Sequence, residues 1–305
     1  MKTTIDPGRA YAPVSLREGI VFSHVTDLEG KPLDLPLSFL SSQMLKRDGS
    51  DADKRLPTLI WVNGGGWHGT IEMDNLMLPE FVYLAQQGYN VVFFHYRNSD
   101  AEGKFPAQII DLKTCIRFLR ANAGRYGVDP DRIGVFGRSA GGHLTSFAAM
   151  NDDTAFVSDE WPGVSSKIQC AVDMFGPVDL PDWARNNMEL LKDPNYRWHH
   201  PSQTHEGVLL GWPGDVDTFL ERCAQASPVN YINDSMCPLL IMHGDADPLV
   251  PLAISEGFYE KLLEAGLGDR VDFYVLKNAG HGSPEFFQDS VKTIVADFFD
   301  KHLKG

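Results

Sequence analysis

Short apolar runs alternate with amphipathic stretches along most of this chain. The runs are rich in β-branched and aromatic residues, as buried strands are, and the stretches between them repeat apolar residues at helical spacing. Because the two kinds of segment alternate, we expect an α/β fold with a mostly parallel sheet of about eight strands and helices on both faces. The strand candidates are residues 59–62, 89–96, 132–136, 168–175, 239–242 and 271–276, and the helix candidates are residues 75–87, 107–126, the stretch after Ser139, 253–265 and 284–303.

Two further apolar runs near the start of the chain, 18–27 and 34–42, follow each other without a helix between them. The short connection contains Gly30 and Pro32, which favour a turn, so we expect an antiparallel N-terminal hairpin. The charged stretch 46–55 is expected to be a solvated loop, since its charges nearly cancel.

One long segment, residues 177–226, breaks the alternation and is called the insert below. Its helical periodicity is weak, and we expect it to be largely irregular. A connection this long in a compact α/β domain is typical of a lid over a site, but a surface embellishment fits the sequence equally well. No carboxylate or cysteine stands at a persuasive ligand spacing from its histidines, so no metal site is predicted. The aromatic and imidazole side chains of the insert include Trp183, Trp198, Trp212, His199, His200 and His205.

The chain has 305 residues, 43% of them hydrophobic, and we expect one domain over residues 1–305. The formal net charge of −14 argues against nucleic acid or an anionic membrane as a partner, because the protein's field would repel polyanions. The four cysteines form no C-x-x-C pair, which favours free buried thiols. No signal peptide or membrane span is predicted, so we expect a soluble cytoplasmic protein. A removed leader and a homodimer are left open.

Candidate chemistry begins at Ser139, which stands in a G-x-S-x-G pattern between a strand candidate and a helix candidate. Gly137 and Gly141 would permit a sharp strand-to-helix turn in which a side chain would collide with the neighbouring backbone. Such a turn holds the serine hydroxyl at the carboxyl end of the sheet, beside the first amides of a helix. A glycine-rich loop that merely caps the helix is the alternative.

A serine hydroxyl needs a base that takes its proton, and the base needs an acid that orients it. His281 follows the last strand candidate and is flanked by glycines, which makes it the best base. Asp245 and Asp247 both follow the strand candidate before it, and the residues alone do not separate them. His143 stands on the helix after Ser139, where a structural hydrogen bond is expected. The order serine, acid, histidine fits a strand–turn–helix nucleophile.

Three consecutive glycines follow strand candidate 59–62 and could supply an oxyanion hole. Backbone amides of Gly65, Gly66 and Ala140 could face the oxyanion of a reacting carbonyl, each contributing about 3–4 kcal/mol. The joint presence of glycine loop, serine turn, acid and histidine predicts a serine hydrolase that uses no metal or organic cofactor.

These motifs resemble those of the α/β-hydrolase superfamily, and more closely its hormone-sensitive-lipase-like and bacterial feruloyl-esterase-like esterases. The resemblance covers roughly residues 56–303. It implies that Ser139 is the nucleophile, His281 the base and Asp247, rather than Asp245, the acid. The matching motifs are Asn63–Trp67 for H-G-G-G-W, Gly137–Gly142 for G-x-S-A-G-G, His243–Asp247 for H-G-x-x-D and Gly280–Gly282 around the histidine.

The chain departs from the family pattern at two positions. Asn63 replaces the histidine before the three glycines; its amide can donate and accept hydrogen bonds, so we expect the loop to survive. Arg138 replaces the more common acidic residue before the serine. It could attract a substrate carboxylate or pair with an acid of the insert. We place Arg138 and Trp67 as substrate-binding candidates.

The resemblance implies a carboxylester hydrolase that acts on a small to medium ester through a covalent acyl-enzyme. The tryptophans of the insert favour an aromatic or sugar-linked acyl ester, as in feruloyl or acetyl esterases. Amide hydrolysis by a peptidase or an arylformamidase uses the same side chains and is the alternative. A binding module that has the fold but no catalysis is a third, disfavoured because such modules often lack a member of the triad.

Overall fold

The computed structural model describes residues 3–4, 6, 13–43, 52, 54–68 and 76–305. Over these residues eight strands form one sheet in the order β1-β2-β4-β3-β5-β6-β7-β8. Most of the charged loop predicted over 46–55, and Asn75 at the start of a predicted helix, lie outside the described residues. The strands are β1 (Ser15–Thr26), β2 (Pro32–Ser41), β3 (Leu56–Val62), β4 (Asn90–Phe94), β5 (Val128–Arg138), β6 (Cys170–Met174), β7 (Leu239–Gly244) and β8 (Val271–Leu276).

Strand directions follow the sequence pattern. β1 and β2 form the predicted antiparallel hairpin, and β2 also pairs antiparallel with β4. All other pairings in the sheet are parallel. The parallel strands place their carboxyl ends at one edge, so the loops that follow β3, β5, β7 and β8 meet there.

Helices cover the sheet on both faces, as predicted. The stretch 107–126 is two helices rather than one, because the chain leaves helical geometry at Asn122. The C-terminal helix begins later than expected, since Pro284–Phe287 forms a separate 3-10 turn. The helices are α1 (Leu78–Gln86), α2 (Ala107–Ala121), α3 (Ala123–Tyr126), α4 (Ala140–Ala149), α5 (Leu180–Leu190), α6 (His205–Leu210), α7 (Val216–Gln225), α8 (Leu252–Glu264) and α9 (Asp289–Leu303).

Two hydrophobic cores lie on opposite faces of the sheet. Neighbouring residues of β5 show the alternation, since Val135 belongs to one core and Phe136 to the other. Phe136 packs edge-on against Phe299 of α9, with 5.7 Å between the ring centroids. The strand that leads to Ser139 is therefore buried on both faces, which fixes its end in place. The four cysteines are buried with free thiols, as predicted.

The expectation of an irregular insert is wrong, because the insert contains α5, α6 and α7. In α5 the buried residues repeat at helical spacing, but Asn187 among them is polar, which weakens the apolar period in the sequence. Each begins at a side-chain cap: Asp179 for α5, Thr204 for α6 and Asp215 for α7. The indole nitrogen of Trp183 donates to the carbonyl of Leu249 at 2.9 Å, which ties the insert to the loop after β7.

Candidate active site

Ser139 occupies a sharp turn between β5 and α4. Its backbone has φ 54° and ψ −123°, a conformation that is strained for a residue with a side chain. A Cβ on Gly137 would lie 2.5 Å from the carbonyl oxygen of Gly141, and a Cβ on Gly141 would lie 2.0 Å from the carbonyl oxygen of Val62. Only glycine fits at these two positions, so the turn and its neighbours hold the strained serine in place.

His281 lies between Ser139 and Asp247. Its Nε2 is 2.9 Å from the Ser139 hydroxyl oxygen, and its Nδ1 is 2.7 Å from a carboxylate oxygen of Asp247. The edge of the Phe175 ring packs against the imidazole at 4.6 Å between ring centroids. The loops after β5, β7 and β8 thus bring the three side chains into one hydrogen-bonded chain, in the order that nucleophilic catalysis by a serine requires.

The Asp247 carboxylate is fully buried and well supplied with donors. It accepts hydrogen bonds from the backbone amides of Leu249 at 2.8 Å and Val250 at 3.0 Å, and it lies 3.4 Å from Nε2 of His243. Burial alone would raise the pKa of Asp247, but the hydrogen bonds from His243 and His281 outweigh it and hold the pKa well below its usual value. The carboxylate therefore stays ionised beside the imidazole.

Asp245 takes a different place, which separates the two acid candidates. It is exposed, and its carboxylate accepts a hydrogen bond from the backbone amide of Asn278. Asp245 thus stabilises the loop that precedes His281, and only Asp247 of the two reaches the imidazole.

The glycine loop after β3 packs directly against the serine turn. A Cβ on Gly64 would lie 2.9 Å from the carbonyl oxygen of Arg138. Gly65 and Gly66 both have positive φ, 98° and 63°, which favours glycine. All three line the same cavity as Ser139, and Ala140 is the first residue of α4. The loop is therefore placed where its amides could face an oxyanion.

Asn63 braces this loop from its start. Its side-chain amide donates to the carbonyl of Gly64 at 3.2 Å, and its own carbonyl accepts a hydrogen bond from the hydroxyl of Tyr96 at 3.0 Å. Asn63 is buried, so both groups need these partners. The asparagine thus supports the loop in the absence of the family's histidine.

The prediction that Trp67 binds the substrate is wrong, because the side chain is not accessible to a substrate. Its side chain is fully buried, and its indole nitrogen donates to Nδ1 of His143 at 3.2 Å. Nε2 of His143 in turn lies 2.7 Å from the carbonyl oxygen of Ala226 at the end of α7. Burial lowers the pKa of His143 to about 4, so the ring is neutral and can accept at one nitrogen and donate at the other. Trp67 therefore joins the glycine loop to α4 and the insert.

Arg138, the other substrate-binding candidate, lines the cavity around Ser139. The residue is largely buried, and its guanidinium carbon lies 5.9 Å from the centroid of the Trp61 ring. Arg138 also lines a second cavity of smaller volume on the α1 and α9 side of the sheet. The cation thus lies at the boundary between two cavities.

His205 of the insert also lines the cavity around Ser139, a placement that the sequence did not predict. A Cβ on Gly66 would lie 2.2 Å from Nδ1 of His205, so the ring rests on the glycine loop. A guanidinium nitrogen of Arg197 lies 3.3 Å from its Nε2. Burial, and then the charge of Arg197, lower the pKa of His205 to about 4. A neutral imidazole of the insert therefore lines the cavity that contains Ser139.

The cavity has a volume of about 400 Å³. Among the described residues, no group of three or more histidine, cysteine or acidic side chains could hold a metal ion. None of the described helices is long and apolar enough to span a membrane.

The sheet order and the serine turn define an α/β hydrolase. The BD-FAE family model matches residues 48–262, more than half of the chain, so the chain belongs to the BD-FAE family. Esterase LipQ of Mycobacterium tuberculosis is 31% identical over 75% of this chain and 50% of its own length. Esterase LipC of the same organism is 30% identical over 75% of this chain and 53% of its own length. The chain spans about half the length of the curated relatives it matches.

Solved structures show the same fold over nearly the whole chain. A truncated form of carbohydrate esterase from gut microbiota superposes with a TM-score of 0.75 at 25% identity, covering 98% of this chain and 99% of that one. Esterase 2 of Thermogutta terrifontis with bound butyrate superposes with a TM-score of 0.67 at 24% identity, covering 97% of this chain and 95% of that one.

Proposed function

We propose that this protein is a serine carboxylester hydrolase in which Ser139 is the nucleophile, His281 the base and Asp247 the orienting acid. The observation that carries the proposal is the hydrogen-bonded chain from the Ser139 hydroxyl through His281 to the buried Asp247 carboxylate, at 2.9 Å and 2.7 Å. Relatives named as esterases support the same class of reaction.

In the first half of the reaction, the Ser139 oxygen attacks the ester carbonyl and its proton passes to Nε2 of His281. The ionised Asp247 stabilises the resulting imidazolium. The negative charge on the carbonyl oxygen faces the amides of Gly65, Gly66 and Ala140. Collapse of the intermediate breaks the bond to the alcohol, which takes the proton from His281 and departs, leaving an acyl group on Ser139.

In the second half, a water molecule takes the place of the alcohol. His281 removes a proton from it, the resulting hydroxide attacks the acyl carbonyl, and the bond to Ser139 breaks as the serine oxygen recovers the proton. The products are a carboxylic acid and the free enzyme, so every proton that leaves one atom is bound by another and no cofactor is required.

The substrate is proposed to be a small to medium ester. A sugar-linked acyl ester is the first candidate within that class, because a carbohydrate esterase aligns over almost the whole chain. An aromatic acyl ester is the second candidate. Trp183 is buried, and none of the insert's three tryptophans is among the described residues that line the Ser139 cavity, so the tryptophans do not favour it. Amide hydrolysis is disfavoured by the esterase relatives.

Replacing the nucleophile tests the proposal. Ser139→Ala should lower kcat/KM for p-nitrophenyl acetate by at least about 10³-fold and leave the fold intact, because the alanine cannot form the acyl-enzyme. Ser235→Ala, at an exposed loop position, is the matched control and should retain parental turnover. Parental turnover by Ser139→Ala would contradict the assignment. Comparing p-nitrophenyl acetate with aminoacyl anilides and N-formylkynurenine separates ester from amide hydrolysis.

A homodimer and a cytoplasmic location also remain predictions. Sedimentation of the purified chain would measure the first, and cell fractionation would measure the second.

A further inference from the structure

A second cavity adjoins the one around Ser139 and is called the slot below. It runs between α1, the 3-10 turn Pro284–Phe287 and α9, on the sheet face to which Phe136 points. Its volume is about 40 Å³, a tenth of the 400 Å³ of the Ser139 cavity. A site for one water-sized group needs about 10–15 Å³ on this scale, so the slot holds roughly three to four such groups.

The slot shares part of its wall with the cavity around the proposed nucleophile and base. Three residues line both cavities: Arg138, Phe175 and Gly282. Arg138 immediately precedes Ser139, and Gly282 immediately follows His281. The Phe175 ring contacts His281 on one side and Phe286 of the slot on the other, each at 4.6 Å between ring centroids. A group attached to the Ser139 oxygen could therefore extend past Phe175 into the slot.

The wall of the slot is almost entirely apolar. Phe136, Met174, Val291 and Val295 supply buried hydrophobic side chains. Glu80 of α1 and Lys292 of α9 also line the slot, and they form an ion pair with each other at 2.9 Å. This pair neutralises its own charges, and the Arg138 guanidinium, which also lines the slot, lies 5.9 Å from the centroid of the Trp61 ring. The rest of the wall therefore favours a hydrocarbon group.

The proposed reaction decides which part of an ester this slot suits. The alcohol must leave and water must enter between the two halves of the reaction, and both need the wide cavity under the insert. The acyl group remains bonded to Ser139 throughout. A small side cavity therefore suits the acyl group, which stays bound. A short aliphatic chain fits a volume this small without displacing the walls, whereas an aromatic ring would have to push side chains aside.

We propose that the slot is the acyl subsite and takes a short aliphatic acyl chain. This inference rests on the proposed ester hydrolysis. The carbonyl carbon and the next carbon lie in the Ser139 cavity, and roughly three to four further carbons fill the slot. The preferred acyl group is therefore about the length of hexanoate.

Chain-length profiles test the proposal. With p-nitrophenyl esters from acetate to decanoate, kcat/KM should rise to a maximum near hexanoate and fall beyond it. With alkyl acetates from methyl to octyl, kcat/KM should change far less. A maximum at acetate, or a length preference confined to the alcohol series, would overturn the proposal. If no ester is hydrolysed at all, the proposed function fails instead, so the two failures are distinguishable.

Substitutions in α9 test whether the slot determines the preferred length of the acyl chain. Val291→Phe fills the slot and should lower the ratio of hexanoate to acetate kcat/KM by about 10-fold or more. Val291→Ala, which is less disruptive to folding, should move the maximum toward octanoate. Thr293→Phe places the same ring on the exposed face of α9 and should leave the hexanoate to acetate ratio unchanged. If the ratio is the same in the parent and both Val291 variants, the slot is not the acyl subsite.

Discussion

The two sides of the cavity around Ser139 are built differently. On the sheet side, Ser139, Asp247 and His281 stand just beyond the ends of parallel strands, and two glycines that admit no side chain, Gly137 and Gly141, fix the serine turn. On the insert side, His205 is held by Arg197 and by the rings of Trp183 and Trp198, at 6.4 Å and 4.8 Å between centroids. Backbone geometry therefore holds one side, and side-chain contacts hold the other.

This contrast suggests a division of tasks. Proton transfer tolerates little displacement, so it benefits from atoms that the sheet fixes. Substrate choice depends on the shape of the opposite wall, which ring contacts can adjust without disturbing the sheet. We therefore expect substitutions on the sheet side to abolish turnover and substitutions on the insert side to change substrate preference.

The largest expected effect tests the sheet side. Asp247→Asn should lower kcat/KM for p-nitrophenyl acetate by about 10³- to 10⁴-fold, because an amide can no longer stabilise the imidazolium of His281. Asp245→Asn is the control, since Asp245 contacts the Asn278 amide rather than the imidazole, and it should cost less than about 10-fold. A larger loss in Asp245→Asn than in Asp247→Asn would overturn the assignment of the acid.

A smaller effect should appear where the two sides meet. Gly66→Ala adds a methyl group 2.2 Å from Nδ1 of His205, at a φ of 63° that disfavours alanine. We expect kcat/KM to fall roughly 10- to 100-fold as the loop amides are displaced. His205→Ala alone should change kcat/KM only a few-fold, chiefly through KM.

The double variant sharpens this test. Gly66→Ala with His205→Ala should recover part of the lost turnover, because the ring that the methyl group meets has been removed. Additive losses in the double variant would show that the strain at residue 66, and not the contact between the two sides, causes the defect.

The smallest effect on turnover is expected at Trp67. Trp67→Phe keeps a ring in the buried site but removes the donor to Nδ1 of His143, which costs about 1–3 kcal/mol of unfolding free energy. Urea titration measures this cost, and KM should hardly change. Trp212→Phe, a matched change in the partly buried part of the insert, should cost less. A large rise in KM with unaltered stability would show instead that Trp67 contacts the substrate.

Local sequence was sufficient where local chemistry determines the structure. The strand–turn–helix pattern around Ser139 depends on glycines at fixed offsets, and the glycine-flanked His281 follows a β-rich run, so both could be located. Asp245 and Asp247 could not be separated by residue type, since both follow the same strand. Their difference arises from which carboxylate the loop after β7 buries, and that depends on tertiary packing.

The structure of the insert was not predicted from its sequence. The buried positions of α5 do repeat at helical spacing, but one of them, Asn187, is polar and weakens the apolar period. The capping residues Asp179, Thr204 and Asp215 could also have indicated where the helices start. Nothing in its sequence indicates that His205 would rest on Gly66, because the two residues meet only through the fold. The same holds for Trp67, whose place in a motif suggested the substrate while its buried partner is His143.

Ala226 anchors the end of the insert beneath the serine helix through its hydrogen bond with His143. The insert contributes a main-chain carbonyl there, which any amino acid supplies equally well. A different residue at position 226 would preserve this anchor beneath the serine helix as long as the backbone kept its course. The other ties of the insert are side chains, Trp183 on the Leu249 carbonyl and His205 on Gly66, so sequence changes there alter the attachment while changes at position 226 do not.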